Sequence, residues 1–261
     1  MAQLDSEDRK VVSAQTVHDA VLQEGREELR RSASALTWSG VAAGLAMGLS
    51  LMAEGILHAR LPDAPWSILV SKLGYTLGFV VVTLGRQQLY TENTLTAVLP
   101  ALEDEGYGDW IRTLRLWGIV LPANLVGALL FAWFATTSAF LPEFQEAFLE
   151  IGRKAAEPGS FDLFLRGIPA GWLVALIVWL GPAAPQARLW VALLLSYVVG
   201  IGEFSHVIAG SVEVLYLVVN GVEGLWGYGV EYLVPTLLGN TAGGVLLVAF
   251  LNHSQIRPDD K

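Results

Sequence analysis

No cysteine occurs among the 261 residues, which excludes disulfides, thiolate-held metals and thiol catalysis. Charge is scarce as well. Asp, Glu, Lys and Arg make up 16% of the chain, where a soluble domain of this size carries roughly a quarter. No basic patch is present to hold nucleic acid, and no His-Glu-x-x-His pattern offers a metal-dependent hydrolase site. The chain also lacks the apolar/polar alternation of a membrane β-barrel. No cofactor is called for, and an enzyme is not expected.

What is abundant is apolar sequence: 53% by residue count, with a mean hydropathy of +0.49. Continuous runs recur that are long enough for a hydrocarbon core of ~30 Å, which takes roughly 20 helical residues. They predict passages at 35–58, 66–100 with an interruption, 108–137, 161–181, 187–220 with an interruption, and 232–252. The expected fold class is an all-α membrane protein of six transmembrane helices. Ahead of them, residues 1–34 carry charge with Val17, Val21, Leu22 and Leu29 at helical spacing, which predicts an amphipathic surface helix and no cleavable signal peptide. The expected organisation is therefore an N-terminal amphipathic segment (1–34), a channel domain (35–252) and a tail (253–261).

Lys and Arg set the orientation. Arg9, Lys10, Arg26, Arg30, Arg31, Arg112, Arg115, Arg188, Arg257 and Lys261 fall on one side of a six-passage chain, against Arg60, Arg153 and Lys154, with Lys72 and Arg166 close by, on the other. By the positive-inside rule both termini are cytoplasmic.

The second and fifth runs are too long and too interrupted for simple helices. RQQLYTENT (86–94) breaks the second, and GIGEFSHVIAGS (200–211) breaks the fifth. Irregular backbone at membrane depth survives only where protein or a water-filled cavity shields it, so the paired breaks point to a pathway. The halves also share a pattern, Asn-x-x-Gly-small-apolar-Leu, starting at Asn124 and Asn240. Thr91 precedes Asn124 by 33 residues as His206 precedes Asn240 by 34, which predicts two inverted three-helix repeats. Gly127, Gly239, Gly243 and Gly244 would let helices approach closely.

Four pieces in order (QLYTENT, NLVGALLF, FSHVIAG and LGNTAGGVLLV) make the chain resemble the formate/nitrite transporters, pentameric channels for small monovalent anions and their conjugate acids. The resemblance covers most of the chain from residue 35 on and implies an aquaporin-like protomer, a homopentamer and a bacterial inner-membrane location. It places His206 at the family's central pore histidine and Thr91 at the threonine of the second-helix break. Leu89 and Tyr90 match the loop residues there, with Leu89 at the cytoplasmic constriction. Tyr75, Phe79 and Val199 would line constrictions on either side of the histidine, and Asn124 and Asn240 match asparagines near the breaks. Ser205 departs from the family's glutamate, Gly210 from its asparagine, and Glu92 from a small hydroxylic residue. Lys154 lies near the place of the vestibule lysine. The chain thus looks like a divergent branch, closest to less characterised inner-membrane members.

Read by residue chemistry, His206 suits selection or proton transfer for a weak acid near neutral pH, although a lone helical histidine is also a common core residue. Half-helices starting near Thr91 and His206 would aim their N-termini at mid-membrane and favour anions. Glu92 argues the other way: in the pore it would repel anions, while paired with Arg86 it would stand outside the path. Glu203 could face a vestibule or a subunit contact, and Glu54 could be interfacial. The leading expectation is a channel or transporter for formate- or nitrite-like anions with one pore per protomer. A cation or neutral-solute channel on the same scaffold is the alternative.

Overall fold

The computed structural model describes residues 13–103 and 107–250, which form helices joined by short turns. Arg9, Lys10, Arg257, Lys261 and the tail from residue 253 lie outside the described residues.

The amphipathic segment forms α1, Ala14–Leu29, begun by Ser13, whose side chain accepts from the Thr16 N–H. Its apolar face, Val17, Val21 and Leu29, is buried, and α1 packs on the helices that follow the first break rather than standing apart. Ser32 caps α2 (Ala33–Arg60) in the same way. Among the described residues four helices are long and apolar enough to cross a membrane: α2, α3 (Ser67–Gly85), α6 (Gly108–Ala135) and α8 (Ser160–Leu180). Between α3 and α6 run the short helices α4 (Asn93–Thr96) and α5 (Val98–Glu103). The fifth apolar run is two helices, α9 (Arg188–Ile201) and α10 (Val207–Val219). The breaks therefore fall at residues 86–92 and 202–206, inside the interruptions expected from sequence.

A left-handed non-glycine residue stands at each break. Arg86 (φ 48°) ends α3 and Glu203 (φ 52°) follows α9, and no other non-glycine residue has positive φ among the described residues. Such a residue costs on the order of 1 kcal/mol and stops a helix abruptly.

The helices pack in two similar sets: α2 against α6 and α3, and α8 against α11 (Val234–Gly244) and α9. Glycine allows the closest approaches. A Cβ on Gly44 would strike the Asn124 carbonyl across the α2/α6 contact, and one on Gly171 would strike the Asn240 carbonyl across α8/α11. With no water to drive apolar association in lipid, such backbone proximity supplies the packing energy.

Two elements depart from the expected passages. Pro142–Ala156 forms α7, an amphipathic helix with Phe148 and Ile151 buried; its charged face made it read as a loop. The sixth segment starts earlier than residue 232, because a π-helical turn, Gly227–Leu233, leads into α11. Its glycines and Glu231 concealed it.

Candidate functional site

Asn124 and Asn240 hold the breaks. The Asn124 side chain accepts from the Tyr90 N–H (2.9 Å) and donates to the carbonyls of Gln88 and Gly40 (both 2.8 Å). Asn240 accepts from the Val207 N–H (2.8 Å) and donates to the carbonyls of Ser205 (2.8 Å) and Gly167 (2.9 Å). Both side chains are fully buried; each satisfies two backbone groups that the break leaves without helical partners and ties them to a carbonyl of a neighbouring helix, Gly40 in α2 or Gly167 in α8. The paired bonds fix a register: Arg86 corresponds to Glu203, Gln88 to Ser205, Tyr90 to Val207. Leu89 is thus the counterpart of His206. Sequence spacing had set Thr91 against His206, two residues away, because spacing alone does not show which backbone groups the asparagines bind.

Thr91 and His206 nevertheless meet. His206 Nε2 and Thr91 Oγ1 are 2.9 Å apart, and both residues are buried. His206 caps α10, its Nδ1 accepting from the Ala209 N–H at 3.2 Å. The hydrogen-bond network therefore assigns a neutral ring with its proton on Nε2, donating to Thr91. The Phe79 ring lies edge-on to the imidazole at 4.9 Å, and Tyr75 packs on Phe79 at 5.3 Å.

A cavity of about 210 Å³ ends on His206. Tyr75 and Val199 also line it, whereas Phe79, Leu89 and Tyr90 do not. Leu89 is packed in the core, and the Tyr90 ring rests on Trp117 while its hydroxyl is 2.9 Å from Thr241 Oγ1. Lys154 and Glu203 form an ion pair in the cavity wall, which brings the lysine found by resemblance to the cavity.

Two expectations need correction. Glu92 does not pair with Arg86: it accepts a hydrogen bond from Thr83 Oγ1 (3.1 Å) and does not line the cavity. The chain turns left-handed at Arg86 and leaves that side chain exposed. Glu54 is buried within the protein, 2% exposed, and its Oε1 lies 2.5 Å from Lys72 Nζ. The helix starts also offer fewer free donors than expected. Asn240 takes the Val207 N–H, His206 Nδ1 takes that of Ala209, and α4 is a single turn.

Sequence reasoning missed Glu213 and Tyr232. Both line the cavity, and the Tyr232 hydroxyl donates to the His206 carbonyl at 3.3 Å. Glu213 had a visible signal: it is the one charged residue in the apolar stretch of α10, and an intramembrane carboxyl marks a functional candidate. Tyr232 also accounts for Gly210, since any Cβ there would collide with the Tyr232 hydroxyl.

A helical membrane protein with two broken helices, an asparagine clamp at each, and a buried histidine–threonine pair below a cavity is the class that these observations define. The formate/nitrite transporter family model matches residues 15–254, and the chain belongs to that family. It is 42% identical to the inner membrane protein YfdC of Escherichia coli over 97% of this chain and 82% of that protein. Two solved structures share the fold. One, described as a pentameric formate channel with formate bound, has a TM-score of 0.72 at 19% identity, covering 85% of this chain and 97% of the other. The second, an FNT family ion channel, has a TM-score of 0.76 at 20% identity, with 94% and 100% covered.

Proposed function

We propose that the protein is a channel for small monovalent anions of the formate and nitrite kind, with one pore per protomer and His206 at its centre. The observation that carries this reading is the buried hydrogen-bonded pair His206 and Thr91, whose histidine lines a cavity, in a chain of this family. An anion entering the cavity could take the Nε2–H bond from Thr91 and be held in a site otherwise walled by Phe79, Tyr75 and Val199. Only one bond is exchanged, so the anion is not trapped. Leu89 and Tyr90 would close the other side, and Asn124 and Asn240 hold the two breaks in place. Glu92 would stand outside the path.

On this reading the chain crosses the inner membrane six times as two inverted three-helix repeats, with both termini cytoplasmic and α1 lying on the cytoplasmic side. The described pentameric formate channel supports a homopentamer. The paired Asn124 and Asn240 bonds support the repeat.

The test is uptake into proteoliposomes of formate, nitrite and methylammonium by wild type and His206→Asn. Formate and nitrite uptake well above the protein-free rate, altered in the variant, is expected. Methylammonium uptake without anion uptake would replace this reading with a cation channel, which the cavity carboxylates Glu54, Glu203 and Glu213 favour.

A further inference from the structure

The cavity floor holds three charged side chains that the asparagine clamps and the His206–Thr91 pair do not use. Glu54 from α2 and Lys72 from α3 are ion-paired at 2.5 Å, but Glu54 Oε2 is buried without a partner. Glu213 from α10 is 8% exposed, lines the same cavity, and makes no hydrogen bond or ion pair among the described residues. Two carboxyl groups and one ammonium thus line the same pocket, largely removed from water, and the ammonium is paired with only one of them. The other charged groups of the wall are Lys154, ion-paired with Glu203, Glu150, which lies 2.9 Å from His58, and Arg166.

We propose that Glu213 is a proton-operated charge filter at the cavity floor, set by the Glu54–Lys72 pair and acting on ions before they reach His206. With a proton on Glu213 the three groups sum to zero and the floor admits an anion. Without it they sum to one negative charge, which repels an anion and attracts a small cation. The proton comes from cavity water: hydronium and the carboxylate give the carboxylic acid and water, and the reverse step restores the charge. The proposal rests on the anion-channel reading for its direction and on the geometry of the three groups for its existence.

The surroundings fit a group that changes charge rather than a fixed ion pair. Lys72 is committed to Glu54, and its ammonium also sits 5.5 Å from the centre of the Tyr75 ring. Tyr75 and Tyr232 also line the cavity, the Tyr232 hydroxyl donating to the His206 carbonyl, and a phenol carries no positive charge to balance Glu213. From α7 come Glu150 and Lys154, from α8 Arg166, from the second break Glu203 and His206; α6, which also packs on α10, contributes no titratable group to the cavity. A lone carboxylate at this depth is costly, while a carboxylic acid open to a cavity is not. A unit charge about 10 Å from a passing ion, at an effective dielectric constant of about 20, changes its occupancy by roughly tenfold.

The experiment measures formate and methylammonium uptake by wild type, Glu213→Gln and Glu213→Asp proteoliposomes from about pH 5 to about pH 8. The ratio of Glu213→Gln to wild-type formate uptake is expected to rise from near one at the acid end to roughly tenfold at the alkaline end, with Glu213→Asp following wild type. A ratio that stays flat overturns the filter while leaving the anion channel intact. Should wild type carry no formate at any pH, the anion reading fails, and the filter is judged on methylammonium. Wild type must then exceed Glu213→Gln by about the same factor at the alkaline end, and equality overturns it. Infrared difference spectra across the same range give a check independent of flux. A protonated-carboxyl band that titrates in wild type and is missing from Glu213→Gln supports the filter, and its absence from wild type overturns it.

Discussion

At the first break Arg86 turns left-handed, Gln88 and Tyr90 bond to Asn124, and the residue between them is Leu89. At the second Glu203 turns left-handed, Ser205 and Val207 bond to Asn240, and the residue between them is His206. The backbone solution is the same at both, because an interrupted helix in lipid leaves the same groups unsatisfied wherever it occurs. The side chain displayed at the apex differs. One break presents a leucine and the other an imidazole, and Thr91, two residues past the leucine, supplies the hydroxyl that completes the imidazole's bonding. A shared scaffold thus carries unlike apices, one apolar and one polar.

The sharpest way to break the comparison is to remove the clamps. Asn240→Ala leaves the Ser205 carbonyl and the Val207 N–H without partners in a buried site and removes the tie to the Gly167 carbonyl of α8, a loss of about 3 kcal/mol or more. Asn124→Ala should cost the same within about 1 kcal/mol. Thermal unfolding in detergent measures both, and a large cost at only one site would end the equivalence. Gly210→Ala comes next: its collision with the Tyr232 hydroxyl should cost about 1–3 kcal/mol, and Tyr232→Phe in the same chain should recover most of it. If the double variant is no more stable than Gly210→Ala, the collision is not the cause.

Smaller effects sharpen the same contrast. Thr91→Val removes the partner of His206 Nε2 and should destabilise by about 1–2 kcal/mol while changing anion flux, whereas the same change at the counterpart of Thr91, Ile208→Val, should leave flux alone. Arg86→Gly and Glu203→Gly should each raise stability by on the order of 1 kcal/mol, since glycine adopts positive φ without strain. For Glu203 the gain is reduced by loss of the ion pair to Lys154, which is half exposed and worth roughly 0.5 kcal/mol. Destabilisation by both glycines would mean that the left-handed turns are held by their side chains.

Much of this was legible in the sequence, because membrane helices declare themselves by run length and the two breaks by polar residues inside such runs. Asn124 and Asn240 stood out through a repeated local pattern, and Thr91 and His206 through the resemblance. What stayed hidden required three dimensions. The register of the repeat depends on which backbone groups the asparagines bind, and the spacing of Thr91 and His206 suggested a different one. The pairing of Glu54 was hidden because its partner Lys72 comes from the next helix, and Glu92 looked like a partner for Arg86 because the left-handed turn between α3 and the break is not written in residue type. The amphipathic α7 and the π-helical start of the sixth segment carry too much polarity for a hydropathy reading to find them.

The most direct test of the central claim is the reversal potential of current through the reconstituted protein in a planar bilayer with a formate gradient. The account predicts a shift toward the formate equilibrium potential in wild type that is lost or reduced in His206→Asn. A reversal potential that follows the cation gradient instead would contradict an anion pathway through His206.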